Sequence, residues 1–261
     1  MCEELEYTQK VDYIIHAASN ATPSKFGIDP VGTLLPNIIG TYHLLEFAKK
    51  QNLRGFIFVS SGEIYGDLKI PLKKISENDI GILNPLSIRS CYAESKKMGE
   101  NMCISWLAQY KVPTKIVRLF HTYGPEMSLY DGRVHSDFIG DIVHNKNIIM
   151  KSDGQSTRPF CYISDVVKGI YTVLLNGTNG EAYNIGGEKP ISVMELAKLL
   201  IVLCPKKKIK IIKQLQKRGN EYLVSPLHKQ YPINVNKLKA LGWKQTYTNK
   251  EGFKRTINSF I

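Results

Sequence analysis

The segment Gly55-Phe-Ile-Phe-Val-Ser-Ser-Gly-Glu-Ile-Tyr-Gly66 passes from a continuous apolar run directly into a polar turn. An apolar run of this length next to glycine is typical of a parallel strand that is covered on both faces. Open α/β sheets bind their ligands at the carboxyl ends of the strands. The hydroxyls and the carboxylate of Ser60, Ser61 and Glu63 therefore stand where a ligand site is expected.

The flanking segments repeat this alternation of strand and helix. Residues 11–18 and 114–120 read as two further buried strands, and residues 32–51 and 92–110 carry apolar side chains at helical spacing. Buried strands that alternate with long helices imply a parallel sheet with right-handed crossovers and helices on both faces. The predicted fold class is α/β, a Rossmann-like doubly wound parallel sheet with a smaller lobe.

The pattern becomes less regular after Gly124-Pro125, where the smaller lobe is predicted to begin. The predicted main domain comprises residues 1–125, with 162–187 returning to it, and the lobe comprises 126–161 and 188–261. The elements predicted in this half are a helix over 134–145, a strand over 148–150, a helix capped by Ser164-Asp165 and ending at Leu175, a strand over 182–186, a helix over 194–203 capped by Ser192, and a last helix from Lys250.

The first predicted strand lacks a feature of the doubly wound fold. In that fold a glycine-rich turn follows the first strand and holds a pyrophosphate. Gly27, Gly32 and Gly40 are too far apart to form that turn, and only residues 1–10 precede Val11. We therefore expect an incomplete, amino-terminally truncated dinucleotide-binding domain.

Composition excludes several other classes. The five cysteines show no Cys-x-x-Cys spacing, which argues against disulfides or a metal site and is consistent with a cytoplasmic protein. No apolar stretch reaches the roughly 20 residues of a membrane span. The net charge of +12 includes a dense run of lysines over 206–210. Because this run has no interleaved aromatics, we expect it to be a solvated surface and not a nucleic-acid site.

Tyr92-Ala-Glu-Ser-Lys96 opens the helix that follows the polar turn. The i, i+4 spacing places a phenol and an ammonium on one helix face, and a nearby ammonium lowers a phenol pKa, so that Tyr92 can act as a general base. Tyr-x-x-x-Lys alone is a weak signal. Its combination with the Ser60-Ser61 strand end is a much stronger one.

These motifs resemble those of the extended short-chain dehydrogenase/reductases that modify nucleotide sugars, the NAD-dependent epimerase/dehydratase family. Within it the sequence is most similar to UDP-glucuronate decarboxylases and next to dTDP-glucose 4,6-dehydratases. The resemblance runs from Val11 to about Trp243, and the stretches that carry it are residues 16–19, 37–41, 60–67, 92–96, 118–125, 131–134, 154–158, 162–165, 183–186 and 241–243.

The resemblance implies roles for particular residues. The implied catalytic residues are Ser61, Glu63, Tyr92 and Lys96. The implied cofactor is NAD, contacted by Ala17, Ala18, Ser19, Asn37, Ser60, Tyr92, Lys96 and Phe120. A UDP- or dTDP-sugar would be bound by Arg89, His121, Arg133 and Arg158. The resemblance also implies a role in polysaccharide biosynthesis and a homodimer formed through the helices over 32–51 and 92–110.

The sequence departs from the pattern of these relatives at three single positions and in the stretch Gln230-Tyr-Pro-Ile233, which stands for Arg-x-Pro-Asp. Gly62 stands where decarboxylases have Ser and where dehydratases have the Asp of an acid-base pair, His121 stands for Asn, and Glu126 for Arg. Decarboxylation through a 4-keto sugar is the leading interpretation, and 4,6-dehydration, 4-epimerisation and 4-keto reduction remain alternatives. Outside catalysis the alternatives are an inactive truncated chain and a non-catalytic protein that binds nucleotide sugars.

Overall fold

A computed structural model of the chain describes residue 3 and residues 7–68, 74–214 and 232–261. Within these ranges the helices are α1 (Pro30–Lys49), α2 (Cys91–Tyr110), α3 (Val134–Val143), α4 (Ile163–Asn176), α5 (Val193–Leu203), α6 (Asn236–Ala240) and α7 (Asn249–Asn258). The strands are β1 (Tyr13–His16), β2 (Gly55–Ser61), β3 (Thr114–Leu119), β4 (Thr122–Tyr123), β5 (Ile148–Met150), β6 (Thr157–Arg158), β7 (Cys161–Tyr162), β8 (Ala182–Ile185), β9 (Ile191–Ser192) and β10 (Ile211–Lys213).

The centre of the molecule is a parallel sheet of four strands in the order β1-β2-β3-β8. Tyr13 pairs with Gly55, Phe56 with Thr114, and Ile116 with Ala182. The strands therefore end along one edge, which carries Ser60 and Ser61. This arrangement confirms the parallel sheet that the apolar runs predict.

Alternate side chains of the strands enter two separate cores. Ile14, Phe56 and Phe58 pack together with residues of α1 and α2 on one face of the sheet. Ile57 and Val117 pack with residues of α4 on the other face. Because side chains alternate along a strand, burial on both faces requires the uninterrupted apolar runs seen in the sequence.

A third core lies in the lobe that begins near Gly124. The helices α3, α5 and α7 contribute buried side chains to this core, among them Phe138, Leu196 and Phe253. Not all of the carboxyl-terminal part joins it. The buried residues between 233 and 243 pack instead into the core of the sheet, and they are Ile233, Val235, Leu238 and Trp243.

The predicted helix cap at Ser192 is confirmed, because its side chain accepts from the Glu195 N–H and the Glu195 carboxylate accepts in return. The predicted cap at Ser164-Asp165 is wrong, since α4 begins at Ile163. Asp165 lies within the first turn, and its carboxylate accepts hydrogen bonds from the backbone N–H groups of Thr246 and Tyr247. The Asp165 carboxylate therefore bonds to backbone groups far along the chain, and not to the start of its own helix.

No helix in the described ranges has both the length and the apolar character that a membrane crossing needs.

Candidate active site

The strand end of β2 carries the first functional groups. Ser61 is its last residue, and a 3-10 turn over Gly62–Tyr65 follows at once. The Ser61 hydroxyl accepts the backbone N–H of Glu63 over 3.2 Å, which fixes the turn and keeps the serine side chain at the edge of the sheet. Ser61 is 8% exposed, so its hydroxyl is largely screened from water.

The phenol of Tyr92 meets this strand end. α2 begins one residue before Tyr92, and the phenol lies close enough to the Ser61 hydroxyl for that hydroxyl to lower its pKa. Burial raises the pKa of Tyr92 to about 12, and the negative charge of Glu63 acts in the same direction. The Ser61 hydroxyl and the positive charges of Arg133 and Arg89 oppose this rise. The structure thus brings Ser61, Glu63 and Tyr92 together, as the sequence predicts.

Lys96 lies one helical turn after Tyr92 and is 2% exposed. Its ammonium donates to the Val59 carbonyl over 2.7 Å and lies 5.8 Å from the centre of the Tyr92 ring. Burial lowers the pKa of Lys96 to about 7, while the charge of Glu100 raises it. The ammonium is therefore near Tyr92, but the groups that lower the Tyr92 pKa here are Ser61 and the arginines, which differs from the expectation that Lys96 does so.

Glu63 is held by an arginine. Arg89 donates to the Glu63 carboxylate over 2.9 Å, with both side chains largely buried. The Arg89 guanidinium also lies over the ring of Phe26, 4.8 Å from its centre, and the same ring stacks on Tyr92. Sequence reasoning missed Phe26, because a single phenylalanine in a loop carries no local signal of a contact with residues of another helix.

The other predicted arginines lie on the lobe side of the same site. Arg133 pairs with Asp131, with 3.1 Å between Nε and Oδ2. Burial lowers the pKa of Arg158 to about 10, and the charge of Glu63 raises it. His121 is held well below its usual pKa by burial and by the charges of Arg158 and Arg133. The guanidinium groups of Arg133 and Arg158, both close enough to His121 to lower its pKa, favour an anionic ligand at this position.

The nicotinamide-ribose end of a dinucleotide fits the groups at the sheet edge. Ser19 follows β1 closely, and its buried hydroxyl has no hydrogen-bond partner among the described residues. Asn37 is fully buried in α1, donates to the Ser95 hydroxyl over 2.9 Å, and leaves its own carbonyl oxygen without a partner in the same part of the chain. Together with the hydroxyl of Tyr92 and the ammonium of Lys96, these atoms suit a ligand rich in hydroxyl and amide groups.

The described residues offer fewer groups that suit the pyrophosphate of a dinucleotide. The loop between β1 and α1 contains one glycine, Gly27, and forms a 3-10 turn over Pro23–Lys25. The described ranges thus supply groups for the nicotinamide side of NAD, and their β1–α1 connection is not a glycine-rich phosphate turn.

Two predicted cofactor residues have further contacts in the structure. The Ser60 hydroxyl donates to Glu100 over 2.5 Å, inside the protein. Phe120 is 4% exposed and stacks on Tyr65, with 6.0 Å between ring centres. A side chain at position 62 would place its Cβ 2.4 Å from the Phe120 ring. The close packing of Phe120 therefore leaves no room for a side chain at position 62.

A parallel α/β sheet whose strand-end serine meets a tyrosine and a lysine from the start of a following helix is typical of a nucleotide-binding protein of the dehydrogenase type. The sequence profile of the NAD dependent epimerase/dehydratase family matches residues 2–186, and the chain belongs to this family. The family that the motifs predict, with NAD as its cofactor, is thereby confirmed.

Curated relatives share a third of the aligned residues. UDP-glucuronic acid decarboxylase 1 of Xenopus tropicalis is 34% identical over 257 residues, which cover 96% of this chain and 57% of that protein. UDP-glucuronic acid decarboxylase 6 of Arabidopsis thaliana is 33% identical over 244 residues, which cover 93% of this chain and 68% of that protein. The chain thus spans little more than half of the Xenopus protein's length.

Solved structures confirm the Rossmann-like fold class. UDP-glucose 4-epimerase of Thermotoga maritima, solved with UDP-glucose, has a TM-score of 0.83 at 25% identity and covers 95% of this chain and 77% of its own. UDP-glucuronic acid 4-epimerase of Bacillus cereus, solved with UDP-glucuronic acid and NAD, has a TM-score of 0.81 at 25% identity. The match covers 96% of this chain and 75% of the epimerase chain.

Proposed function

We propose that the chain carries the catalytic residues of an NAD-dependent enzyme that decarboxylates UDP-glucuronate through a 4-keto intermediate. One observation carries the proposal: Tyr92, Ser61 and Glu63 meet at the strand end beside three arginines. Proton-transfer groups and anion-binding groups in one place suit a sugar that bears both a reacting hydroxyl and several negative charges. The similarity to UDP-glucuronic acid decarboxylases supports the same choice.

The first proton transfer is assigned to Tyr92. NAD, when bound, accepts a hydride from C4 of the sugar and later returns it. Tyr92 removes the proton of the C4 hydroxyl, and Ser61 donates a hydrogen bond to the same oxygen as it becomes a carbonyl. Since burial raises the Tyr92 pKa to about 12, the ligand-free phenol is protonated, and positive charge in the occupied site has to favour the phenolate. Lys96 holds the ribose hydroxyls beside Tyr92.

Carbon–carbon cleavage follows from the 4-ketone. A carboxylate on C5 is β to that ketone, so carbon dioxide leaves and its bonding electrons form the enolate. Glu63 lies at the strand end and assists the delivery of a proton to C5. Once C4 is reduced again, Tyr92 would return its proton to the C4 oxygen, which leaves the tyrosine ready for another cycle.

The arginines bind and orient the substrate in this proposal. Arg133 and Arg158 take the diphosphate, and His121, whose pKa both of their charges lower, contacts the sugar. Guanidinium groups bind phosphate in a bidentate manner, which fixes orientation as well as affinity. Gly62 supplies no acid for loss of water, which favours decarboxylation over 4,6-dehydration.

A 4-epimerase is the second candidate. It shares the oxidation step at C4 and differs in returning the hydride to the opposite face of the sugar. The similarity in fold to UDP-glucose 4-epimerase and UDP-glucuronic acid 4-epimerase favours it.

We also propose that the protein pairs through α1 and α2, which pack against each other. Large apolar residues remain exposed on these helices, including Tyr42 at 43%, Met98 at 50% and Ile104 at 39%. Exposed apolar side chains on neighbouring helices are typical of an oligomer contact.

Light scattering of the native protein should give twice the mass of one chain. For I104K, which places a charge on this surface, the measured mass should be that of a monomer.

The activity is tested by incubating the chain with NAD and UDP-glucuronate and following the sugar by proton NMR. A decarboxylase gives a UDP-pentose and carbon dioxide, an epimerase gives UDP-galacturonate, and Y92F should abolish either product. Thermal unfolding with each ligand is measured in parallel, because only binding to the native state raises Tm. Binding without turnover would indicate a non-catalytic protein, and the absence of both would indicate an inactive chain.

A further inference from the structure

We propose that Phe26 is a positioning residue that fixes the Tyr92 phenol and the Arg89–Glu63 pair at the same time. The proposal rests on the proposed function for the roles of Tyr92 and Glu63. Phe26 itself touches no reacting atom, so it acts through these side chains.

The ring of Phe26 is packed against the ring of Tyr92. Their centres are 5.0 Å apart and their planes differ by 13°. Phe26 is 1% exposed and Tyr92 is 8% exposed, so the contact is shielded from solvent. A stack of this kind restricts the rotation of the tyrosine side chain about its Cα–Cβ bond, and this rotation determines where the phenol oxygen meets Ser61.

The same ring supports the Arg89 guanidinium. Its central carbon lies 4.8 Å from the centre of the Phe26 ring, and Nη2 donates to Glu63. Nε and Nη1 of Arg89 are buried and have no hydrogen-bond partner among the described residues. In that part of the chain, therefore, the guanidinium is held by one carboxylate and one aromatic face. Without the Phe26 ring, only the Glu63 carboxylate would remain, among the described groups, to orient the Arg89 guanidinium.

Phe26 lies in the turn before α1, outside α2, and its backbone contacts α2 through its carbonyl, which accepts from the Cys91 thiol over 3.9 Å. The N–H of Phe26 donates to the Pro23 carbonyl over 3.2 Å, and the N–H of Asp29 donates to the Lys25 carbonyl over 2.8 Å. The Asp29 carboxylate then caps α1 by accepting from the N–H of Gly32. The ring is thus placed by the start of α1, and it provides Tyr92 with a support that its own helix does not contain.

Displacement of a catalytic group by about 1 Å is enough to lower a rate by about a hundredfold. We therefore expect F26L, which keeps an apolar side chain but removes the flat ring, to lower kcat for the proposed substrate by about tenfold or more. The KM for that substrate should change less than about threefold, because the arginines of the lobe are untouched. F26Y keeps the ring and should restore most of kcat.

A second measurement does not depend on turnover. Nitration of Tyr92 by tetranitromethane is followed by mass spectrometry of the peptide in the ligand-free full chain. Because Phe26 covers the Tyr92 ring, F26L should raise the nitration rate about threefold or more, and F26Y should leave it near the native value. F47L is the matched control, since Phe47 is 8% exposed, contacts Tyr7 and lies in the core between α1 and the sheet. It should lower Tm without changing kcat or Tyr92 nitration.

The outcomes separate the two proposals. If the native chain turns over no nucleotide sugar, the proposed function fails, and nitration alone decides the role of Phe26. If F26L is folded and matches the native chain in kcat and in nitration, the positioning role is wrong. If F26L does not fold, F26M, which retains side-chain volume without a ring, takes its place in both assays.

Discussion

The Ser60 hydroxyl donates to a carboxylate oxygen of Glu100 over 2.5 Å, one residue before the strand end at Ser61. Arg118 grips the same carboxylate with two hydrogen bonds, from Nε over 3.0 Å and from Nη2 over 2.7 Å. Glu100 thereby joins β2, α2 and β3 inside the protein. It also lies one turn after Lys96, whose pKa its charge raises.

E100Q should be strongly destabilising, because it leaves the buried Arg118 charge without its partner. The free energy of unfolding, measured by urea denaturation, should fall by about 3 kcal/mol. E46Q is the control, since Glu46 pairs with Lys49 in a partly exposed position and should cost less than about 1 kcal/mol. Equal losses in the two variants would show that Glu100 is not a structural centre.

Lys96 should make stability rise with pH. Burial lowers its pKa from 10.5 to about 7, so between these values the unfolded chain holds a proton that the native chain has released. Stability increases with pH wherever the unfolded state binds more protons. From pH 7 to pH 9 the native chain should gain about 2 kcal/mol more than K96M, as measured by urea denaturation at both pH values. Parallel pH dependence of the two proteins would mean that Lys96 keeps an ordinary pKa.

Glu63 and Arg89 should act as one unit in turnover. E63Q, R89M and the double variant are compared by kcat/KM with UDP-glucuronate. Because each single change disrupts the same ion pair, the loss in the double variant should be smaller than the product of the single losses by about tenfold. Multiplicative losses would show that the two side chains act independently.

G62S should be destabilising through a clash with Phe120. The new Cβ would stand 2.4 Å from the ring, and relief of such overpacking costs about 1–3 kcal/mol. Combination with F120L, which removes the ring, should recover part of this loss. Thermal unfolding of the three variants checks the prediction, and a G62S protein as stable as the native one would contradict it.

The sequence predicts the elements well where burial is encoded locally. The strand over Ile148–Met150 has its predicted bounds, and α2 begins one residue before the predicted start, because apolar runs and helical spacing report directly on burial. The cap at Ser192 is equally local, since its partner Glu195 is three residues away. The cap at Asp165 failed because its carboxylate bonds backbone about 80 residues further along the chain.

For the candidate site, too, some contacts were predicted from the sequence and others were not. Tyr92 and Ser61 meet as predicted, because a strand end and a following helix start are placed together by the fold itself. Phe26 and Glu100 were not predicted as part of this region, since their contacts join segments that are distant in sequence. The hydrogen bond from Lys96 to the Val59 carbonyl also depends on how α2 lies on β2, and spacing within the helix does not reveal it.

The packing of Ile233, Leu238 and Trp243 into the core of the sheet determines how the protein unfolds. The indole N–H of Trp243 donates to the Asp165 carbonyl at the start of α4, so the segment from Ile233 to Trp243 covers the helix that closes one face of the sheet. Excision of the lobe would strip that cover away. The sheet should then not fold without this segment, and calorimetry should record a single melting transition for the whole polypeptide.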